Sequence, residues 1–204
     1  MVITRNITQT SGIHERNAHW SPDGKSIAYI SDSSGEDEIY IKPARIDGAA
    51  QRITTNGDNY KFDMQWSPDG KKILWSDRKL RLFYVDIATK KQTLIDTSNI
   101  YLINNYNWSP DSKWITYDKP MLQGLERVLL YNLETQTRTE VTGYWYTSYQ
   151  PTFSTDGKYL LFISDRDFNP TFSNIELDAA FLNMSRIYFI AIVKSNGKSF
   201  GIAK

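Results

Sequence analysis

The sequence contains no cysteine, which excludes disulfides and thiolate metal sites in this chain. It has two histidines, His14 and His19, and no Gly-x-Ser-x-Gly elbow. A serine or cysteine nucleophile needs a base and an orienting group beside it, and both histidines fall on one predicted strand. The sequence therefore predicts no catalytic centre, and nothing in it indicates a cofactor.

Neither sign of charge prevails, because 23 aspartates and glutamates balance 24 lysines and arginines, scattered as single residues or pairs. A nucleic-acid partner requires a basic face, and the densest basic stretch, residues 78–81, is interpreted as a solvated loop between two predicted strands. No apolar run approaches the roughly 18 residues of a membrane helix, and the first residues lack a signal pattern. We expect neither a nucleic-acid partner nor a membrane span.

What the chain does contain is a six-residue motif, Trp-Ser-Pro-Asp-Gly-Lys, that returns with small changes along the sequence. An apolar run ending in an aspartate follows each copy. The copies begin at Trp20, Trp66, Trp108 and Phe153, in steps of 46, 42 and 45 residues. A near-constant period in this range is typical of stacked or radially arrayed units.

Each copy has the chemistry of a hairpin corner. Proline pre-sets the first position of a β-turn, aspartate hydrogen-bonds locally, and glycine accepts the positive φ that ends the turn. Ser112 stands in place of glycine in the third copy, where a positive φ should cost about 1 kcal/mol. Thr155 replaces proline in the fourth copy. The aromatic residue before each corner is interpreted as a core residue that packs between neighbouring sheets.

Around each corner the sequence predicts four short strands with alternating apolar residues. Such units at this period predict an all-β fold, a β-propeller of four-stranded antiparallel blades, with about four blades in a partial or small propeller. A pair of packed sheets is the competing architecture, and the strict period counts against it. Residues 1–204 are expected to form one domain, with a stray outer strand over residues 1–8 and blades over residues 9–55, 56–96, 97–142 and 143–204.

Acidic residues cluster in residues 32–38, but their spacing does not match a calcium loop, and we expect no metal site there. Aspartates also recur at the end of the second strand of every unit. We expect their side chains to accept backbone hydrogen bonds within or between blades. These residues are Asp32, Asp77, Asp118 and Asp165.

Recognition on a repeat scaffold usually lies where the repeats differ. Two segments carry aromatic residues outside the repeat pattern: the connection between the third and fourth units, and residues 166–185 within the fourth. The residues predicted to contact peptides or a protein partner are Tyr144, Trp145, Tyr146, Tyr149, Arg166, Phe168, Phe172 and Phe181.

The motif, its apolar strand and the later segment Glu-Ile-Tyr-Ile resemble the propeller repeat shared by the translocation protein TolB and the tricorn proteases. Three longer stretches are similar to the amino-terminal propeller region of bacterial tricorn-like serine peptidases. They are residues 12–17, residues 34–41, and residues 164–173 together with 184–188. The resemblance covers nearly the whole chain and is weakest over residues 194–204.

The resemblance implies a parent protein in which propellers precede a PDZ-like domain and a serine peptidase core, which has no counterpart here. It implies a non-catalytic propeller module that guides or gates peptide substrates, in the cytoplasm by analogy or in the periplasm if the parent carries a signal peptide. The alternative is a TolB-like protein–protein interaction module without a peptidase domain. A third reading, hydrolysis by carboxylates of the propeller itself, has no specific set of residues behind it.

Overall fold

The computed structural model describes residues 4–45, 47–55, 57–167, 171–172, 179–180, 184–193 and 201–202. Contacts divide the chain into two compact units, residues 1–97 and residues 98–204, which are described in turn. The regular structure of the described residues consists of β-strands and one short 3-10 turn. None of it includes a helix long and apolar enough to cross a membrane.

The first unit contains two antiparallel sheets whose strands lie side by side in chain order. Sheet 1 consists of β1 (Glu15–Trp20), β2 (Ser26–Ser31), β3 (Glu38–Pro43) and β4 (Gln51–Arg52). Sheet 2 consists of β5 (Lys61–Trp66), β6 (Lys72–Asp77), β7 (Arg81–Asp86) and β8 (Gln92–Thr97).

The second unit repeats this plan with one addition. Sheet 3 consists of β9 (Tyr106–Trp108), β10 (Trp114–Pro120), β11 (Glu126–Asn132) and β12 (Thr137–Glu140), with the 3-10 turn Leu122–Gly124 between β10 and β11. Sheet 4 consists of β13 (Ser148–Phe153), β14 (Tyr159–Ser164), β17 (Arg186–Val193) and β18 (Gly201–Ile202). A small hairpin of β15 (Thr171–Phe172) and β16 (Ala179–Ala180) lies in the connection from β14 to β17. The predicted all-β fold of four-stranded antiparallel blades is confirmed.

The four predicted corners have the same hydrogen bonds. In the first, the Ser21 hydroxyl donates to the Asp23 carboxylate at 2.6 Å and accepts from the Ser26 N–H at 2.9 Å. The same serine–aspartate bond measures 2.6, 2.6 and 2.7 Å in the other three corners. Each side chain therefore closes the turn that its backbone begins, which explains why both serine and aspartate recur.

The residue that ends each corner has a positive φ, as predicted. Gly24, Gly70 and Gly157 have φ values of 69°, 69° and 68°, and Ser112 is forced to 59°. A side chain in this left-handed region costs about 1 kcal/mol. The backbone at Ser112 is therefore slightly strained, and the other hydrogen bonds of the corner keep it in this conformation.

The core of each unit lies between its two sheets. In the first unit Ala28, Ile30 and Ile39 of sheet 1 are buried against Ile73 and Trp75 of sheet 2. In the second unit, sheet 3 and sheet 4 pack in the same way, and the buried residues are Trp114, Val128, Leu130, Leu160 and Phe162. Burial of apolar area between sheets is the main stabilising term of this architecture.

Three sheets also place two aromatic rings directly opposite each other on their second and third strands. The paired rings stack with centroids 5.4 to 6.0 Å apart, within the range that favours offset stacking. The pairs are Tyr29 with Tyr40, Trp75 with Phe83, and Phe162 with Tyr188. In sheet 3 the equivalent position pairs Tyr117 with Leu129.

The interpretation of all four corner aromatics as core residues is wrong for Trp20, which is 61% exposed. In the first unit, Trp66 of sheet 2 reaches back over sheet 1, and its Nε1 donates to the His19 carbonyl at 3.2 Å. Trp20 lies on sheet 1, and the described residues of the first unit form no other sheet on the side of sheet 1 that faces away from sheet 2. The remaining two corner aromatics are buried or half-buried.

Residues 4–8 form no strand. Instead, the Asn6 side chain accepts hydrogen bonds from the Thr8 and Gln9 N–H groups at 3.1 and 3.0 Å, which closes a local turn. Residues 1–3 lie outside the described residues, so the predicted outer strand over residues 1–8 stays a prediction.

Candidate functional site

One end of each sheet carries the corners, and the other end carries the loops that differ between repeats. In the second unit this loop end is formed by residues 121–125, residues 141–147, and residues 165–167 with 184–185. They come together because β10 and β14 run away from their corners, while β11, β13 and β17 start at the opposite end. Chain direction alone therefore gathers the three most variable connections on one side.

Among the described residues of these three connections, the most exposed aromatic side chains belong to residues 143–147, which we call the aromatic loop. Trp145 is 87% exposed, and Tyr144 and Tyr146 are exposed beside it. Large aromatic side chains are more often buried, so three exposed ones on consecutive residues form an uncommon patch of aromatic surface.

Both ends of the aromatic loop are fastened to β11. The Thr142 hydroxyl accepts a hydrogen bond from the Val128 N–H at 3.0 Å. The Thr147 hydroxyl accepts one from the Glu126 N–H at 2.9 Å. The loop is therefore held at its base while its aromatic tips remain in solvent.

Arg127 of β11 supports the aromatic loop through a contact with the Tyr144 ring. Its guanidinium lies 3.4 Å from the centre of the Tyr144 ring, and its Nη1 is 3.3 Å from both carboxylate oxygens of Glu140. The side chain of Arg127 is buried and the Tyr144 ring is exposed, so this cation–π contact is only partly shielded from water. The contact favours the orientation in which the Tyr144 ring lies over Arg127.

Two carboxyl groups with raised pKa values lie next to the loop. Burial raises the pKa of Asp118, although the Gln150 N–H and the Asn105 amide both donate to its Oδ2 at 2.8 Å. Burial raises the pKa of Glu126 as well, and the negative charges of Asp118 and Asp165 add to the shift. This end of the second unit is therefore acidic next to its aromatic residues.

A bulge in β13 produces the contact with Asp118. The register of β13 and β14 shifts between Tyr149 and Thr152, and Gln150 has a φ of 52°. The bulge turns the Gln150 N–H out of its own ladder and toward sheet 3. Backbone strain in sheet 4 is thus offset by a hydrogen bond to a buried carboxylate.

Replacing Asp118 with asparagine is expected to lower the pKa of Glu126, because one of the negative charges that oppose its ionisation is removed. Carbon-13 NMR titration of the Glu126 carboxyl measures this directly. Asp156→Asn, at a corner, is the matched control and should leave the pKa of Glu126 unchanged. An unchanged Glu126 titration in the Asp118 variant would contradict the coupling.

The carboxyl groups of Asp118 and Glu126 make the free energy of unfolding depend on pH. Their folded-state pKa values lie above the unfolded ones, so the neutral forms are favoured in the folded chain. The stabilisation from these groups is complete below the ordinary carboxyl pKa and is lost as the pH rises through the raised values. In the Asp118→Asn variant, the loss of stability with rising pH should become smaller.

The recurring strand-end aspartates behave largely as predicted. Asp32 accepts from the His14 N–H at 2.9 Å, and Asp77 accepts from the Arg81 N–H at 3.1 Å. Asp118 accepts from a backbone N–H of the neighbouring sheet, as described above. Asp165 differs, because its carboxylate accepts from the Ser185 hydroxyl at 2.6 Å.

The structure describes the side chains of five of the eight residues predicted to contact peptides or a partner. Three of them form the tip of the aromatic loop. Tyr149 lies on β13 of sheet 4, where its hydroxyl is 3.3 Å from the Ser185 hydroxyl. Arg166 follows β14, and its guanidinium lies 4.9 Å from the Tyr188 ring centre. Phe168 and Phe181 lie outside the described residues, and Phe172 is described only as backbone in β15.

The acidic segment of residues 32–38 is bound by cations of the chain itself. The Asp37 carboxylate pairs with Arg16, and the Glu38 carboxylate lies 3.4 Å from the Lys61 ammonium. In the part of the chain that the structure describes, no three or more histidines, aspartates and glutamates are arranged to hold a metal ion. His19 pairs with the exposed carboxylate of Asp63 at 2.8 Å.

Comparison with known proteins gives a consistent result. The family described as the Tricorn protease second beta propeller domain matches residues 2–201. Tricorn protease homolog 1 of Streptomyces coelicolor is 26% identical over 202 residues, which are 97% of this chain and 19% of that protein. The Tricorn protease of Thermoplasma acidophilum is 25% identical over 82% of this chain and 16% of its own length.

Solved structures agree on the fold. A crystal structure of the tricorn protease superposes with a TM-score of 0.81 and 23% identity, over 92% of this chain and 18% of that chain. TolB from Acinetobacter baumannii gives a TM-score of 0.53 and 19% identity, over 93% and 43%. This chain thus spans about a fifth of the length of the tricorn relatives that it matches.

Proposed function

This chain belongs to the family of the tricorn protease second beta propeller domain, and from that membership we propose that it is a non-catalytic module that binds peptides. In this proposal the peptides are guided or gated for a serine peptidase core that lies elsewhere in a longer parent polypeptide. The sequence resembles the amino-terminal propeller region of tricorn-like peptidases as a whole. The family model is more specific, because it describes the second propeller.

The observation that carries the proposal is the aromatic loop, which is exposed at its tip and braced at its base. Binding hot spots are enriched in tryptophan and tyrosine, whose large rigid side chains gain contact area at a low cost in conformational entropy. The hydrogen bonds to Thr142 and Thr147 and the stacking of Arg127 on Tyr144 reduce that cost further. A preorganised aromatic surface of this kind suits extended peptides of varied sequence.

Replacing Trp145 with alanine is expected to weaken peptide binding by at least about tenfold, because truncating an aromatic hot spot typically costs more than about 1.4 kcal/mol. Isothermal titration calorimetry with a set of unstructured peptides rich in apolar residues measures the change. Because Trp145 is exposed, its replacement should leave the unfolding transition unchanged.

Trp20→Ala is the matched control, since Trp20 is also an exposed tryptophan but lies at a corner of the first unit. Its peptide affinity should equal that of the unaltered chain. Equal losses in both variants, or unaltered binding in Trp145→Ala, would refute the assignment to the aromatic loop. The coding sequence around this chain tests the second half of the proposal, which fails if no peptidase region is encoded.

A further inference from the structure

The Glu126 carboxylate lies at the base of the aromatic loop and has no partner among the described residues. The Glu126 N–H donates to the Thr147 hydroxyl at 2.9 Å, which fixes the residue next to the loop. No described residue donates a hydrogen bond to the carboxylate of this half-buried residue. The described charges that affect its pKa are the negative ones of Asp118 and Asp165. A half-buried carboxylate surrounded by like charge is unfavourable in a folded chain.

The connection from β14 to β17 has few cations to offer. Its residues 168–183 contain no lysine, arginine or histidine. Each arginine at this end of the second unit has another contact within the described residues. The contacts are Arg127 with Glu140, Arg166 with the Tyr188 ring, and Arg186 with Asp167. The described residues and the sequence of this connection therefore give Glu126 no positive partner.

The first unit shows which group occupies the equivalent place there. Counted from the pairing of the second and third strands, Glu126 corresponds to Asp37. The Asp37 carboxylate pairs with the Arg16 guanidinium, which also lies 3.9 Å from the centre of the Tyr60 ring. In the first unit, a guanidinium of the chain itself therefore contacts both a carboxylate and an aromatic ring.

The second unit has the carboxylate and the aromatic rings of this arrangement but not the guanidinium. Asn105 stands in the place of Arg16, because each lies opposite the fifth residue of the second strand of its sheet. The Asn105 amide is uncharged and donates to Asp118 at 2.8 Å. Thr147, the last residue of the aromatic loop, stands in the place of Tyr60, and the exposed rings of the loop directly precede it.

We propose that the second unit binds the guanidinium of an arginine residue in a peptide, with Glu126 as the carboxylate partner and the aromatic loop as the stacking surface. The peptide supplies the group that the chain itself supplies in the first unit. A guanidinium forms charge-assisted hydrogen bonds with a carboxylate and stacks on aromatic rings. This inference rests on the proposed peptide binding and adds to it a preference for peptides that contain arginine next to apolar residues.

Isothermal titration calorimetry with two peptides tests this preference. The peptides share one unstructured apolar sequence with blocked ends and differ at a single position, which is arginine in one and citrulline in the other. Citrulline keeps nearly the same shape but carries no charge. We expect the arginine peptide to bind the unaltered chain at least about tenfold more tightly than the citrulline peptide.

Replacing Glu126 with glutamine should abolish the preference. The arginine peptide should then bind as weakly as the citrulline peptide, whose own affinity should not change. Circular dichroism verifies that the variant folds, and removing a charge that Asp118 and Asp165 oppose should not destabilise it. Glu134→Gln is the matched control, because Glu134 is exposed beyond the other end of β11, and it should keep the full preference.

Carbon-13 NMR titration of the Glu126 carboxyl shows whether the guanidinium reaches it. The arginine peptide at saturation should lower the pKa of Glu126, because a positive charge nearby favours the ionised form, and the citrulline peptide should not. Equal affinities of the two peptides for the unaltered chain, an unchanged pKa of Glu126, or a preference that survives in Glu126→Gln would each overturn this inference and leave the proposed peptide binding intact. Failure of both peptides to bind would refute both proposals.

Discussion

Replacing Lys61 with methionine is expected to lower the free energy of unfolding by about 3–5 kcal/mol, the range typical of breaking a buried ion pair from one side. The Lys61 ammonium lies 3.4 Å from the Glu38 carboxylate, and the two side chains are only 6% and 3% exposed. Lys61 also donates to the Asp37 carbonyl. Without Lys61, the buried carboxylate of Glu38 loses its charged partner.

The remaining contacts of Glu38 do not replace that partner. The Thr54 hydroxyl and the Gly57 N–H both donate to its carboxylate, the second at 2.6 Å. Neutral donors satisfy the oxygens but leave the net charge in a poorly solvated position, and burying an uncompensated charge is costly. Methionine keeps most of the length of the lysine stem, so the loss reports charge rather than volume.

Urea unfolding of Lys61→Met, Glu38→Gln and the double variant separates these contributions. The double variant should recover a large part of the stability, since neither charge is then buried. Lys79→Met is the matched control, because Lys79 pairs with Asp58 on the surface and exposed pairs contribute about 0–1 kcal/mol. A double variant as unstable as Lys61→Met would show that packing, not charge, is lost.

Replacing Trp75 with alanine is expected to cost about 3–5 kcal/mol, the range for deleting a large buried aromatic side chain. Trp75 is almost completely buried between the two sheets of the first unit. It also stacks on Phe83 with ring centres 5.4 Å apart and an angle of 15°. The substitution therefore removes apolar burial and a stacking contact together.

Thermal and urea unfolding of Trp75→Ala measure this loss. Trp145→Ala removes the same side chain from an exposed position and should change stability by no more than about 0.5 kcal/mol. A similar loss in both variants would contradict the assignment of the core to the space between the sheets.

The period of the corner motif is sufficient to predict the architecture. Four copies with aspartate and a residue of positive φ, three of them with proline, specify four hairpins. Alternating apolar residues specify strands with two different sides. The pairing of Tyr29 with Tyr40 is harder to predict, because it depends on the length of the connection between β2 and β3. The alternating pattern gives the side of the strand on which each residue lies, whereas register decides which residues meet.

The same limit applies to the candidate site. The aromatic residues of the loop stand out in the sequence because no other repeat has them. Arg127 does not stand out, since it looks like an ordinary charged residue beside Glu126. Its partner Glu140 ends the next strand, β12, and Tyr144 lies beyond that strand. The exposure of Trp20 could not be read from the motif either, because what covers a corner residue is set by the neighbouring sheet.

The connection between β14 and β17 has a consequence for how this fold can change. The two strands pair at six successive positions without a bulge, although the chain between them makes an additional hairpin. Closing a longer connection costs little, about 0.6 kcal/mol for each doubling of its length. Residues 165–185 are therefore where new segments can be inserted during evolution, or a foreign epitope by design, while the register of the sheet is preserved.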